Sequence, residues 1–162
     1  MLSLTDIAKH IDKNGILQKI SFHRAHDVDR RYMEHRARVS RVFDHMGSYI
    51  LFKYFGIHPT KRDDGLYTVV LPEGYDEQRI IKNDYPYSDY GPNVEHMLVW
   101  STRELLYDEC VEYANRIFMS AESHGIWFVN RESAKSIPQL WHMHVLVDTS
   151  SQTTHHRDMQ CL

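Results

Sequence analysis

The sequence has few cysteines and no long apolar run, and these absences exclude several classes of protein. Only two of the 162 residues are cysteine, Cys110 and Cys161, so a disulfide-built scaffold is excluded and a reducing compartment is expected. No apolar stretch approaches the roughly 18 residues of a membrane span. The N-terminus lacks the hydrophobic core of a signal peptide. We therefore expect a globular cytoplasmic protein without a membrane partner.

Several catalytic signatures are also missing. The chain has no GxxxxGK[ST] phosphate loop, no GxGxxG fingerprint and no GxSxG elbow. It has no HExxH or CxxC pair that would begin a zinc site. These absences argue against P-loop, Rossmann and α/β-hydrolase enzymes, and neither a cofactor nor a metal is expected.

Charge is unevenly distributed although the net charge is only −3. Residues 19–64 carry a net charge of +4 and residues 73–122 a net charge of −7. This pattern does not predict a large basic face, so nucleic acid is not an expected partner. A basic helix at residues 28–54 is instead a candidate surface for self-association or for a protein partner.

Hydrophobic spacing predicts an α+β fold with a mainly antiparallel sheet of about five strands. Helical periodicity covers residues 28–54 and 103–120, and the helices before residue 55 are expected to form a layer of their own. The predicted strands are residues 66–71, 79–82, 95–101, 126–130 and 141–147. We predict one domain at residues 1–148, with a helical part at 1–55 and a sheet part at 65–148. Residues 149–162, which include His155 and His156, are predicted to be a disordered tail.

Histidine is the unusual residue, since the chain contains 12 of them. The segment 141–147 (WHMHVLV) alternates, so Trp141, Met143, Val145 and Val147 are expected to enter the core. His142 and His144 then share the other face, about 7 Å apart at twice the strand rise.

Three interpretations of this histidine pair remain open. The two rings can flank a phosphoryl group, one attacking or donating a proton while the other holds an oxygen. They can be two ligands of a metal ion, although no third ligand lies at a recognised spacing. They can also be solvent-facing side chains on a half-exposed sheet.

Further polar and aromatic side chains lie where strands end. Asn83 follows one strand, and Tyr85 and Tyr87 flank a proline in a stiff turn that can present ring faces to a base or sugar. His96 belongs to the next strand and can converge on the pair. The alternative is a packed loop whose tyrosines cover the sheet edge.

The segment that leads into the histidine strand is a second candidate for binding. Asn130 ends the preceding strand, and Ser136 lies in the polar loop that returns to His142. Loops that lead directly into a catalytic strand often carry binding groups.

Taken together, these motifs resemble the fungal N-acetylglucosamine-induced protein family, whose domain also occurs in algae and large DNA viruses. The resemblance covers roughly residues 4–148. It rests on Asn83-Asp84-Tyr85-Pro86-Tyr87, on His96 with Val99-Trp100, and on His142 with His144. It implies an N-terminal helical part followed by these motifs, and it implies no activity.

The order of Asn130, a serine-bearing loop and His-x-His is also similar to histidine-triad nucleotide hydrolases and transferases, over about 65 residues. That resemblance implies an antiparallel α+β fold, with His144 as the nucleophile and His142 orienting the substrate. It implies that Asn83, Tyr85, Tyr87, His96, Asn130 and Ser136 bind a nucleotide or phosphosugar. The sequence differs at the third triad position, which is Leu146, and residues 134–139 read AKSIPQ where those enzymes have a Gly-Gln-Ser loop.

Two function hypotheses follow from these observations. The chain is either a phosphoester or phosphoanhydride hydrolase or nucleotidyl transferase, or a non-catalytic protein that binds a ligand or a partner.

Overall fold

A computed structural model describes residues 1–150, so residues 151–162, with most of the predicted tail, lie outside the described part. The helices are α1 (Leu4–Ala8), α2 (His26–Val39), α3 (Met46–Phe55) and α4 (Tyr107–Ser120). The strands are β1 (Ile16–Leu17), β2 (Thr60–Lys61), β3 (Tyr67–Thr68), β4 (Gln78–Lys82), β5 (Val94–Ser101), β6 (His124–Asn130) and β7 (Trp141–Asp148). No helix within residues 1–150 is long and apolar enough to cross a bilayer.

The main sheet has five strands in the order β1-β6-β7-β5-β4. The pairs β4–β5, β5–β7 and β6–β7 are antiparallel, and only the short β1 runs parallel to its neighbour β6. The predicted α+β class and the mainly antiparallel five-stranded sheet are therefore confirmed.

One of the five strands in the main sheet is not the strand that was predicted. Within the predicted strand 66–71, only Tyr67–Thr68 is extended and paired, and it pairs with Thr60–Lys61 in a separate two-stranded sheet. The fifth position of the main sheet is taken by Ile16–Leu17. Two residues are too few to produce a recognisable alternation, so the sequence pattern could not reveal β1.

The single helix predicted over residues 28–54 is wrong, because the chain forms two helices there. The chain leaves helical geometry after α2, and Val42 and Asp44 make backbone hydrogen bonds to Tyr67. His45 then caps the N-terminus of α3, and its Nδ1 accepts a hydrogen bond of 3.0 Å from the backbone N–H of Ser48. The apolar spacing continues across the break because Val39, Phe43 and residues of α3 enter the same core cluster.

The sheet is covered on both faces. Helix α4 packs against one face, where it meets Val99, Met143, Val145 and Val147. Helix α3 and the end of α2 cover the opposite face near Leu98 and Trp100. The histidine face of β7 therefore lies beneath the N-terminal helices.

Candidate functional site

The two faces of β7 alternate as predicted, but both are buried. Met143, Val145 and Val147 have no exposed surface, while Trp141 is partly buried. His142 and His144 on the other face are each only 4% exposed, and their ring centres lie 5.2 Å apart. The interpretation of this pair as solvent-facing histidines is therefore wrong, because helices and loops cover that face.

His144 belongs to a chain of buried hydrogen bonds. Its Nδ1 lies 2.9 Å from Nε2 of His96, and its Nε2 lies 3.0 Å from the Asn130 side-chain amide. Nδ1 of His96 lies 2.8 Å from the Tyr90 hydroxyl and 3.1 Å from the Asn83 amide nitrogen. Both ring nitrogens of His144 thus have protein partners.

The protons in this series of hydrogen bonds can be arranged in two ways, and both keep the imidazoles of His96 and His144 neutral. If Asn130 donates to Nε2 of His144, that ring donates from Nδ1 to His96, and His96 donates to the Tyr90 oxygen. If Asn83 donates to His96 instead, His96 donates to His144, which donates to the Asn130 oxygen. In either arrangement each ring donates once and accepts once, as only a neutral imidazole can.

The pKa values follow from burial. Desolvation, with smaller effects of Arg24 and His142, lowers the pKa of His96 to about 3. Desolvation is also the main reason that the pKa of His144 lies well below the ordinary value of 6.5, followed by the charge on His96. Neither ring is an imidazolium near neutral pH.

His142 is arranged differently. Its Nδ1–H donates to the Leu140 carbonyl at 3.1 Å, so Nε2 carries the lone pair. Nε2 has no hydrogen-bond partner within residues 1–150. Its ring packs 4.4 Å from the Trp100 ring. Burial lowers the pKa of His142 to about 4, against the opposing effect of the Leu140 hydrogen bond.

One cavity opens onto this histidine face, between the sheet and helices α2 and α3. Its interior volume is about 70 Å³, and the space including the open mouth is about 640 Å³. Since a single water needs on the order of 10–15 Å³ measured in this way, the interior holds a few waters or one phosphate-sized group. A whole nucleoside would have to lie toward the mouth.

Six of the eight predicted site residues line this cavity. They are Asn83, Tyr85, Tyr87, Ser136, His142 and His144. The other two, His96 and Asn130, lie behind His144 and contact its nitrogens. The predicted residues therefore come together, although His96 and Asn130 support a histidine and do not line the cavity.

The cavity also contains cations that sequence reasoning missed. The guanidinium of Arg24 lies 4.0 Å from the centre of the Tyr32 ring, and its side chain is only 16% exposed. Its Nε donates to the Tyr85 carbonyl at 3.1 Å. Lys53 also lines the cavity and lies 3.8 Å from Asp84, which is itself largely exposed.

Two buried donors that line the cavity lack a partner. The Tyr32 hydroxyl and the indole N–H of Trp100 have no hydrogen-bond partner within the described residues. Buried donors of this kind favour a ligand with acceptor oxygens, because an unpaired donor costs roughly 1–3 kcal/mol.

The missed residues gave little signal in the sequence. Arg24 lies in irregular chain before α2, where no periodicity applies. Lys53 looks like an ordinary solvent-facing residue of a helix, and His35 falls in the apolar spacing of residues 28–54, where it looks like a packing residue. Only the packing of the helical layer on the sheet brings them to the cavity.

The interpretation of the pair as metal ligands requires further ligands close by. Within residues 1–150, no group of three or more His, Cys, Asp or Glu side chains is arranged to hold an ion. His142 and His144 meet the indole of Trp100 and the ring of His96 instead of a third ligand.

Comparison with known proteins finds a family and a yeast relative, and neither description states an activity. The chain is 25% identical over 158 residues to the uncharacterized protein YPL067C of Saccharomyces cerevisiae, covering 86% of this chain and 75% of the yeast protein. No solved structure matches. Neither description mentions N-acetylglucosamine or a histidine triad. The family model described as a protein of unknown function (DUF3605) matches residues 3–148, nearly the whole chain, and the chain therefore belongs to this family.

Proposed function

We propose that this protein binds a phosphate group in the cavity and transfers it to water or to another acceptor. The substrate class is a phosphoester or phosphoanhydride of a nucleotide or sugar nucleotide, as in the histidine-triad enzymes that the motifs resemble. One observation carries the proposal. Arg24, whose side chain is only partly exposed, and His142, whose Nε2 has no partner within residues 1–150, line the same cavity.

His142 is the nucleophile in this proposal. Its Nδ1–H is held by the Leu140 carbonyl, which keeps the lone pair on Nε2. With a pKa of about 4 the ring is neutral at pH 7 and is a weak general base, whereas a neutral imidazole is the state that attacks phosphorus. Nε2 bonds to phosphorus, the bond to the leaving oxygen breaks, and a second acceptor then displaces the histidine.

This assignment exchanges the roles that the resemblance implied for the two histidines. His144 is engaged at both nitrogens by His96 and Asn130, so it supports the ring of His142 and does not attack. Asn83, Tyr85, Tyr87 and Ser136 line the cavity and contact the substrate. His96 and Asn130 act through His144.

The charge of the cavity lining and the volume of the cavity restrict which ligands can bind. The cavity lining contains two cations, Arg24 and Lys53, and one carboxylate, Asp84, which pairs with Lys53. Asp29, an exposed carboxylate outside the lining, lies 4.0 Å from Arg24 and further reduces the positive charge. A singly charged phosphate, as on a phosphodiester or an internal phosphate of an anhydride, therefore suits this lining better than a dianion. The small interior takes the phosphate, and the nucleoside or sugar lies at the mouth beside the tyrosines.

A second candidate is a binding protein without catalysis. Leu146 occupies the third triad position and is completely buried, and His144 has no nitrogen available to a ligand. Such a protein would bind the same anion through Arg24 and hydrogen bonds and would leave it unchanged.

The test combines binding and turnover. Calorimetry measures binding of nucleoside monophosphates and sugar nucleotides. Release of p-nitrophenol measures turnover of the p-nitrophenyl ester of a nucleoside 5′-monophosphate. We expect His142→Ala to lower turnover roughly 10²–10⁴-fold while binding persists, and Arg24→Gln to weaken binding. His58→Asn, an exposed histidine outside the cavity, is the matched control.

The outcomes separate the candidates. Binding without turnover supports the non-catalytic protein. Neither binding nor turnover of any compound would overturn the proposal as a whole.

A further inference from the structure

His35 is the third histidine that lines the cavity, and it differs from the other two by being partly exposed. It lies on α2, its ring stacks on Tyr85 at a centre-to-centre distance of 5.6 Å, and it meets the edge of Tyr49 at 5.1 Å. Neither of its nitrogens has a hydrogen-bond partner within residues 1–150. The ring is therefore held in position by aromatic packing while its nitrogens stay available.

Breaking a bond between phosphorus and an alkoxide requires a proton for the leaving oxygen. His142 and His144 are neutral near pH 7, and His142 carries its one proton in a hydrogen bond to Leu140. Lys53 lines the cavity, but against the lowering effect of burial the hydrogen bond to Tyr54 and nearby groups raise its pKa, which makes it a poor proton donor. Among the described histidines that line the cavity, His35 is the one with both nitrogens available, and an imidazole is suited to proton transfer.

We propose that His35 is the general acid and base of the reaction, protonating the leaving group and then activating the acceptor. This inference rests on the proposed function of the cavity, and it assigns the proton transfers that His142 cannot perform. His35 lies on the helical layer and His142 on the sheet, so the substrate would be held between the two.

The proposed reaction has two steps, and each proton and leaving group has an acceptor. In the first, Nε2 of His142 bonds to phosphorus, the bond from phosphorus to the leaving oxygen breaks, and the imidazolium of His35 gives that oxygen its proton. In the second, a water oxygen bonds to phosphorus and the P–N bond breaks, returning its electron pair to His142. His35 takes the proton that the water loses.

Burial and charged neighbours determine the pKa of His35. Burial lowers the pKa of His35 below its ordinary value of 6.5, and the charges of Lys53 on α3 and Arg38 on α2 lower it further. The carboxylate of Asp84 opposes them. Tyr49 and Tyr85 also face the ring, and burial raises the pKa of the Tyr85 hydroxyl. Release of the leaving group that depends on the protonated ring should therefore fall as pH rises through this lowered pKa.

The experiment compares two leaving groups on one nucleotide. The p-nitrophenyl ester of a nucleoside 5′-monophosphate leaves without help, whereas the phenyl ester needs a proton. His35→Phe keeps the aromatic packing and removes the proton. We expect it to lose on the order of 10²-fold in the rate of the first step, measured as phenol released from the phenyl ester in a single turnover, and less than about tenfold in the same measurement on the p-nitrophenyl ester. The acid-dependent limb of the pH profile should disappear for the phenyl ester only.

His58→Asn serves as the control, and thermal unfolding checks that His35→Phe is folded. Added imidazole should restore phenyl ester turnover to His35→Ala, which a structural role would not explain. Equal losses of single-turnover release on both esters, with no rescue, would overturn the role of His35 and leave the proposed function standing. An inactive wild-type protein would overturn the proposed function, and the role of His35 with it.

Discussion

His142 and His144 lie on the same strand face, yet their nitrogens meet different groups. Both ring nitrogens of His144 are hydrogen-bonded, to His96 and Asn130. His142 is hydrogen-bonded only at Nδ1. Two residues further on, Leu146 has no exposed surface and packs with Phe128 in an apolar cluster. The third position of the histidine pattern is thus a core position in this protein.

Replacing Leu146 by histidine should therefore destabilise the protein and should not create a triad. An imidazole buried in this cluster would leave at least one polar nitrogen unpaired, which costs roughly 2 kcal/mol or more. Urea unfolding measures the loss, with Leu146→Met as the control that keeps an apolar side chain of similar volume. Unchanged stability together with increased ester turnover in Leu146→His would contradict this prediction.

Strand β6 approaches β7 and α4 closely at one residue. A Cβ atom on Gly125 would lie 2.0 Å from the backbone oxygen of Leu146 and 2.7 Å from the Phe118 ring. A backbone atom in the middle of a sheet cannot move away without disturbing the hydrogen bonds of the strand. The glycine is therefore required by packing between elements and not by a turn.

Gly125→Ala should destabilise the protein by about 1–3 kcal/mol, as expected for overpacking. Gly91→Ala is the matched control, because a Cβ there would have only an ordinary contact of 3.6 Å with the sulfur of Met1. Thermal unfolding of the two variants and the wild type measures the difference. Equal midpoints for Gly125→Ala and Gly91→Ala would show that the strands can separate without cost.

On the scale of the whole molecule, three buried neutral histidines link folding to pH. His96, His142 and His144 have pKa values lowered by burial, so the folded state binds fewer protons than the unfolded chain. Stability is therefore fully present above the ordinary histidine pKa of about 6.5 and is lost as pH falls. Carboxylates with lowered pKa values, such as Asp6 and Glu109, act at lower pH, because they begin from ordinary values of 3.8 and 4.5.

We expect the free energy of unfolding to decrease by roughly 1.4 kcal/mol for each of these histidines between pH 7.5 and 5.5, or about 4 kcal/mol in all. Urea unfolding at pH 7.5, 6.5 and 5.5 measures this dependence. His96→Asn should reduce the slope by about one third relative to its own stability at pH 7.5. A stability that does not change over this range would contradict the neutral buried cluster.

The secondary structure was predictable where the elements are long and regular. The strands at β5, β6 and β7 and the helix at α4 follow from apolar periodicity and turn residues, because these signals are local. The break between α2 and α3 was not predictable, since backbone hydrogen bonds to Tyr67, more than twenty residues away, end the helical run. The two-residue strand β1 is likewise formed by pairing with a distant part of the chain.

For the candidate site, the sequence alone determined which residues share a strand face and which turns flank it. His142, His144, Asn83, Tyr85 and Tyr87 were recognisable because alternation and turn chemistry are properties of neighbouring residues. Only the tertiary structure decided that this face is buried and that Arg24, Lys53 and His35 line the same cavity. It also decided which histidine nitrogen is available, since a hydrogen bond depends on groups that the fold brings together from distant segments.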